Sequence, residues 1–122
     1  MHILKDFKII FPGGYGEADE LMDNIDINII LKNGDVYFAT AFTLQNIGTL
    51  MSRDDGSVFW ATDMFIVKNI TKTTLRDAVA ELIAQGNYIS DAFTWIGTMD
   101  KQYPGKTFDD LPDMADGFNI SN

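Results

Sequence analysis

The side chains that do most protein chemistry are scarce in this chain. His2 is the sole histidine, beside the first residue, and there is no cysteine. A zinc site draws on several imidazoles or thiolates, and a nucleophilic serine needs an imidazole beside it. Neither set can be assembled here. Ser52, Ser57, Ser90 and Ser121 all lack the glycine-flanked elbow of a strand-to-helix nucleophile. Absence of cysteine also removes disulfides and fits a reducing compartment. Oxygen ligands remain. Asp109, Asp110, Asp113 and Asp116 are hard donors suited to calcium, but their spacing is not that of an EF-hand and the closing glutamate is missing. A solvated acidic segment is the plainer expectation. A carboxylate pair such as Asp26 with Asp63 would serve acid–base work, though nothing in the sequence brings the two together. Pro12-Gly13-Gly14-Tyr15-Gly16 lacks the Lys-Ser/Thr of a phosphate loop and runs into Glu17, Asp19 and Glu20, so it reads as a turn. No metal or cofactor is expected.

Charge and aromatic content point to recognition instead. Eighteen acidic side chains face nine basic ones, a net charge of -9. Such a field repels nucleic acid and anionic membranes and speeds encounter with basic partners; solubility alone is the simpler reading. Lys68, Lys72 and Arg76 are close in sequence near a helix start and read as answering nearby acids. Tyr15, Tyr37, Trp60, Tyr88, Trp95, Tyr103 and Phe108 are many large aromatics for 122 residues. Trp and Tyr anchor interfaces because they bury much area at little rotamer cost. The expected partner-binding residues are Asp26, Tyr37, Asp54, Asp55, Trp60 and Asp63. Trp60 and Trp95 are each open to a core or an interface role.

A β-ribbon from Ile25 to Phe42 positions these residues. It reverses at Asn33-Gly34, a strong hairpin signal. Counting outward sets Lys32 opposite Asp35, Leu31 opposite Val36, Ile29 opposite Phe38 and Ile25 opposite Phe42. One face is then apolar, and the other carries Asp26, Asn28, Ala39 and Ala41, with Ile30 beside Tyr37. That second face is expected to be wet and acidic. Thr43 caps a helix over Leu44 to about Arg53, with Phe42 and Ile47 as a hydrophobic staple and Leu44, Ile47, Leu50 and Met51 inward. Thr71 caps a second helix whose stripe is Leu75, Ala78, Val79, Leu82 and Ile83, ending at Gly86. Ile3 to Phe11, 58–61 and 64–67 are strand candidates, and 88–96 is a short helix or a last strand. The class is α+β: a mostly antiparallel sheet of four to five strands with two helices packed on one face. Residues 1–97 form the domain, and 98–122 an extended acidic C-terminal tail. There is no signal-peptide pattern at the start and no run of membrane-spanning length, so a cytoplasmic location is expected.

The run Gly34-Asp35-Val36-Tyr37-Phe38-Ala39-Thr40-Ala41-Phe42-Thr43-Leu44-Gln45-Asn46-Ile47, followed by Phe59-Trp60-Ala61-Thr62-Asp63-Met64-Phe65-Ile66-Val67, resembles small bacterial proteins of polymorphic or contact-dependent toxin–immunity loci. The likeness spans Asn28 to Ile83 and is a pattern of strand, capped helix and aromatic strand. It implies a non-enzymatic protein that neutralises a basic toxin domain by occluding its active site. That class has no shared fold, so it transfers no residue roles. The alternative is a small-ligand-binding or regulatory domain, dimeric through its sheet face or an edge strand. An enzyme built on a buried carboxylate pair ranks third.

Overall fold

The structure, a computed structural model, describes residues 7–16, 19–53, 56, 58–85 and 88–115. Its centre is the hairpin of β2 (Asn24–Leu31) and β3 (Asp35–Thr43). The ribbon forms as expected, but its register is one residue away from the count above. Ile30 lies opposite Val36, Ile29 opposite Tyr37, Ile27 opposite Ala39 and Ile25 opposite Ala41. The turn explains the shift. Gly34 N–H donates to Leu31 O at 2.9 Å and Gly34 has φ 102°, so the connection has three residues, Lys32 to Gly34. Asn33 stays at negative φ, and its side chain accepts from Asp35 N–H at 2.9 Å. A three-residue turn with glycine at its left-handed position moves every β3 side chain to the other face. Tyr37 therefore shares the face of Ile25, Ile27, Ile29 and Leu31. Val36, Phe38, Thr40 and Phe42 share the face of Asp26 and Asn28.

The sheet has five strands and is mostly antiparallel, which bears out the α+β class. β1 (Phe7–Ile10) pairs with β2. The other side of β3 is divided between two strands. β4 (Met64–Val67) runs parallel to its second half, and β5 (Thr94–Thr98) runs antiparallel to its first half. The parallel step is reached through α1 (Leu44–Arg53), as a crossover requires. Thr43 caps α1 through Asn46 N–H at 3.1 Å. Leu44, expected inward, is 67% exposed because it lies past the end of β3, while Ile47 is buried. Residues 58–60 form no strand.

α2 (Lys72–Ala84) begins at Thr71, whose hydroxyl accepts Thr74 N–H at 3.1 Å. The expected stop at Gly86 lies outside the described residues. Leu75 and Val79 of α2 are fully buried against Ile27, Ile29, Ala39 and Ala41 of the sheet. Each such side chain contributes about 1.5–3 kcal/mol on removal from water. The two alanines opposite isoleucines leave room for the helix to approach. Ile89 of α3 (Tyr88–Ala92) and Phe93 close the same core. Residues 88–96, which were open to either assignment, hold both a helix and the start of a strand.

Residues 98–115 depart from the extended tail expected for them. α4 (Met99–Gln102) and a 3₁₀ turn (Phe108–Asp110) lie on the second face. There Leu111 buries with Ile30 and Val36, flanked by Ile10, Ile96, Met99, Tyr103 and Phe108. Lys8 Nζ donates to Phe108 O at 2.5 Å and to Leu111 O at 2.8 Å. Asn28 Nδ2 donates to Tyr103 Oη at 2.8 Å. Lys8 and Asn28, polar groups on that face, give this segment hydrogen-bond partners, and the shifted register adds Val36 as an apolar anchor. The second face is thus covered at the hairpin end, not wet throughout.

Candidate functional site

What stays open on the second face is its far end, around Phe42. The Phe42 ring meets Phe59 at 5.3 Å between centroids, edge on, at 69°. Phe59 is half-buried, and its neighbours Val58 and Trp60 are 75% and 73% exposed. Ile66 pairs with Phe42 across the β3–β4 ladder and is 53% exposed. Leu44 follows two residues after Phe42. Four exposed apolar side chains thus lie next to this ring pair, along the chain or across the ladder. A single exposed apolar residue carries no information, but a contiguous group does.

Acidic groups border this area. Asp26 is exposed and accepts from Thr40 Oγ1 at 2.9 Å. Asp63 stands where β4 and β5 diverge from β3. Its backbone carbonyl accepts Thr40 N–H at 2.8 Å, and both of its carboxylate oxygens lie 2.8 Å from Thr94 Oγ1. Asp63 alone among the described non-glycine residues has positive φ, at 57°, a conformation that aspartate tolerates better than most. The structure therefore brings Asp26 and Asp63 to the same stretch of β3, each engaged by a threonine hydroxyl.

The other expected residues divide. Trp60, open in the sequence to a core or an interface role, is at the surface. Tyr37 is not on this face. It lines a cleft of about 250 Å³ with Leu31, Asn33, Asp35, Ile83, Ile89 and Ser90, on the helix side of the sheet. Burial, and then the neighbouring Asp35 charge, raise its pKa above the ordinary tyrosine value. A more open hollow of about 480 Å³ shares Leu31, Asn33 and Ile83 with it. Asp54 and Asp55 lie outside the described residues. Trp95 is also half exposed, and its Nε1 donates to Asp35 at 3.1 Å. The sequence reading missed Val58, Leu44 and Ile66. Val58 and Ile66 were absorbed into strand candidates, and no local signal separates Leu44 from Ile47 on the α1 stripe.

Two of the acids near the C-terminus, Asp110 and Asp113, have structural partners, and Asp116 lies outside the described residues. Asp113 accepts Ile9 N–H at 3.2 Å and forms an ion pair with Arg76. Asp110 accepts Thr107 N–H at 2.9 Å, which holds its carboxyl below the usual range. Among the described residues no three His, Cys, Asp or Glu side chains are grouped to hold a metal ion, and no buried side-chain nitrogen or oxygen lacks a hydrogen-bond partner. No described helix is long and apolar enough to cross a membrane. No family model matches the chain, and no match was found among characterised proteins or among solved structures. The functional reading rests on the surface itself.

Proposed function

We propose that this chain is a non-enzymatic binding protein that neutralises a basic toxin domain in the cytoplasm, using the surface around Trp60 to cover the toxin's active site. The observation that carries this is the exposed group Leu44, Val58, Trp60 and Ile66 around Phe42–Phe59, on a molecule of net charge -9. An aromatic anchor in an apolar setting provides the desolvated centre of an interface, and a charged surround provides orientation. Asp26 and the acids beside it take the place of nucleic-acid phosphates at a cationic toxin site. The mechanism is steric, with no covalent step. Long-range attraction makes association fast and salt-sensitive.

The test is co-expression with the product of each adjacent gene, a basic toxin domain being expected among them. That domain and this protein should co-purify at low salt, and the complex should lack the toxin's activity. Retention of full toxin activity at saturating concentrations of this protein would defeat the proposal. So would failure of every adjacent gene product to associate.

A further inference from the structure

A second surface, which meets the Trp60 region at Ile66, follows from how the sheet edges are finished. β1 is an outer strand, and its edge is occupied: Ile9 N–H goes to Asp113 Oδ1 at 3.2 Å, and Ile9 O accepts Met114 N–H at 2.8 Å. β5 is also an outer strand, and Ile96 O accepts Gln102 Nε2 at 2.6 Å. β4 is the third. It pairs with β3 on one side, and among the described residues nothing pairs with the other. The ladder fixes which groups are free. Thr40 N–H reaches Asp63 O, so the Met64 N–H on the same peptide plane points away from β3. Alternation along the strand then turns the carbonyl of Met64 and both backbone groups of Ile66 outward. An edge left in this state is a template for another strand.

The space beside that edge has a definite chemistry. Between β4 and α2 runs an open groove, whose two hollows of about 220 and 510 Å³ share Ile66, Ala78 and Glu81. Phe65, Ala78 and Leu82 supply an apolar floor. Asp77 and Glu81, both exposed, stand along the α2 wall, and Lys68 lies at one end. We infer that β4 binds an extended peptide segment of alternating apolar and basic residues, which adds as a further strand to the sheet. Its backbone pairs with Met64 and Ile66. Its apolar side chains enter the groove, and its lysines or arginines meet Asp77 and Glu81. Backbone pairing provides affinity, and alternate side chains provide selectivity. The inference does not rest on the toxin reading: it uses the backbone edge of β4 and the α2 wall, and it meets the Trp60 surface only at Ile66.

The probe is a fluorescein-labelled octapeptide alternating valine and lysine, followed by anisotropy on the full chain at low salt. Two controls keep its length: one replaces lysine by glutamate, the other keeps the charge but N-methylates alternate backbone nitrogens. Binding of the first peptide alone is expected, with slowed amide exchange at Met64 and Ile66. Asp77→Lys with Glu81→Lys, both on exposed helix positions, should weaken binding at least about tenfold. Ile66→Pro removes an outward N–H and spares the β3 ladder, so it should weaken binding with the fold retained. Trp60→Ala should leave it within about twofold. Equal binding of the N-methylated peptide would reduce the effect to charge attraction and overturn the inference. So would loss of binding in Trp60→Ala, absence of binding by the valine–lysine peptide, or a dimer in sedimentation that pairs β4 with β4 of a second copy.

Discussion

Asp113 holds two parts of the molecule at once. One carboxylate oxygen takes Ile9 N–H at the edge of β1, and the other takes Arg76 of α2, whose guanidinium lies 4.7 Å over the Phe7 ring. Both charged side chains keep about 15% of their surface exposed, so the pair is largely shielded from water. Asp113→Ala should cost about 1–3 kcal/mol, because it removes an acceptor shared by the Arg76 guanidinium and the Ile9 N–H. Urea denaturation would measure it; a cost near zero would mean the contact is dispensable. Tyr15 offers a pH test. Its hydroxyl donates to Ile70 O at 2.6 Å, and burial, then the Glu20 charge, raise its pKa. A raised folded-state pKa means the folded form keeps its proton where the unfolded chain has lost it. Stability is therefore held below about pH 10 and falls as pH rises toward the folded-state value. Tyr15→Phe should flatten that alkaline decline in a urea series; an unchanged slope would remove Tyr15 from the account. At this scale the sequence was a partial guide. The two threonine caps, Thr43 and Thr71, were legible because capping is local. The ties from Asp113 to Ile9 and Arg76 were not, because they join residues distant along the chain.

Among the elements, the hairpin decides most. The strands of the ribbon are evident from alternation, and β2 shows the expected apolar face. The register depended on whether Asn33 accepts a positive φ. Instead its side chain bonds Asp35 N–H, and Gly34 alone takes the left-handed position. That local choice placed Tyr37 among the helices and Phe38 on the opposite face, and it misdirected one of the six expected binding residues. Space around Gly34 is open, with nothing within 4 Å of an added Cβ. Gly34→Ala should still destabilise by about 1–2 kcal/mol, through backbone strain alone; a neutral result in thermal or urea unfolding would contradict the turn assignment. The segment after β5 is the other lesson. Proline, glycine and aspartate between Asp100 and Asp113 resemble a loose tail, yet Leu111 anchors it at 6% exposure beside Ile30 and Val36. No periodicity announces an irregular segment that covers a sheet. Leu111→Ala should cost about 2–3 kcal/mol, near the low end for a buried leucine. A free tail would give almost none.

At the scale of the whole molecule, two features support the proposed function: the net charge of -9, and the uneven covering of the sheet. One face is sealed by α2 and α3, and the other is sealed at the hairpin end by residues 98–111. The open remainder is apolar at its centre, around Phe42, Phe59 and Trp60, with Asp26 and Asp63 nearby. That pattern suits a partner whose own surface is cationic around a cleft. The most direct measurement is amide hydrogen exchange on the full chain, free and bound to the basic toxin domain proposed as its partner. The account predicts new protection at residues 58–60, around Asp26 and at Phe42–Leu44, reduced together as salt is raised. Protection confined to the Tyr37 cleft, or none anywhere at saturating partner, would contradict it.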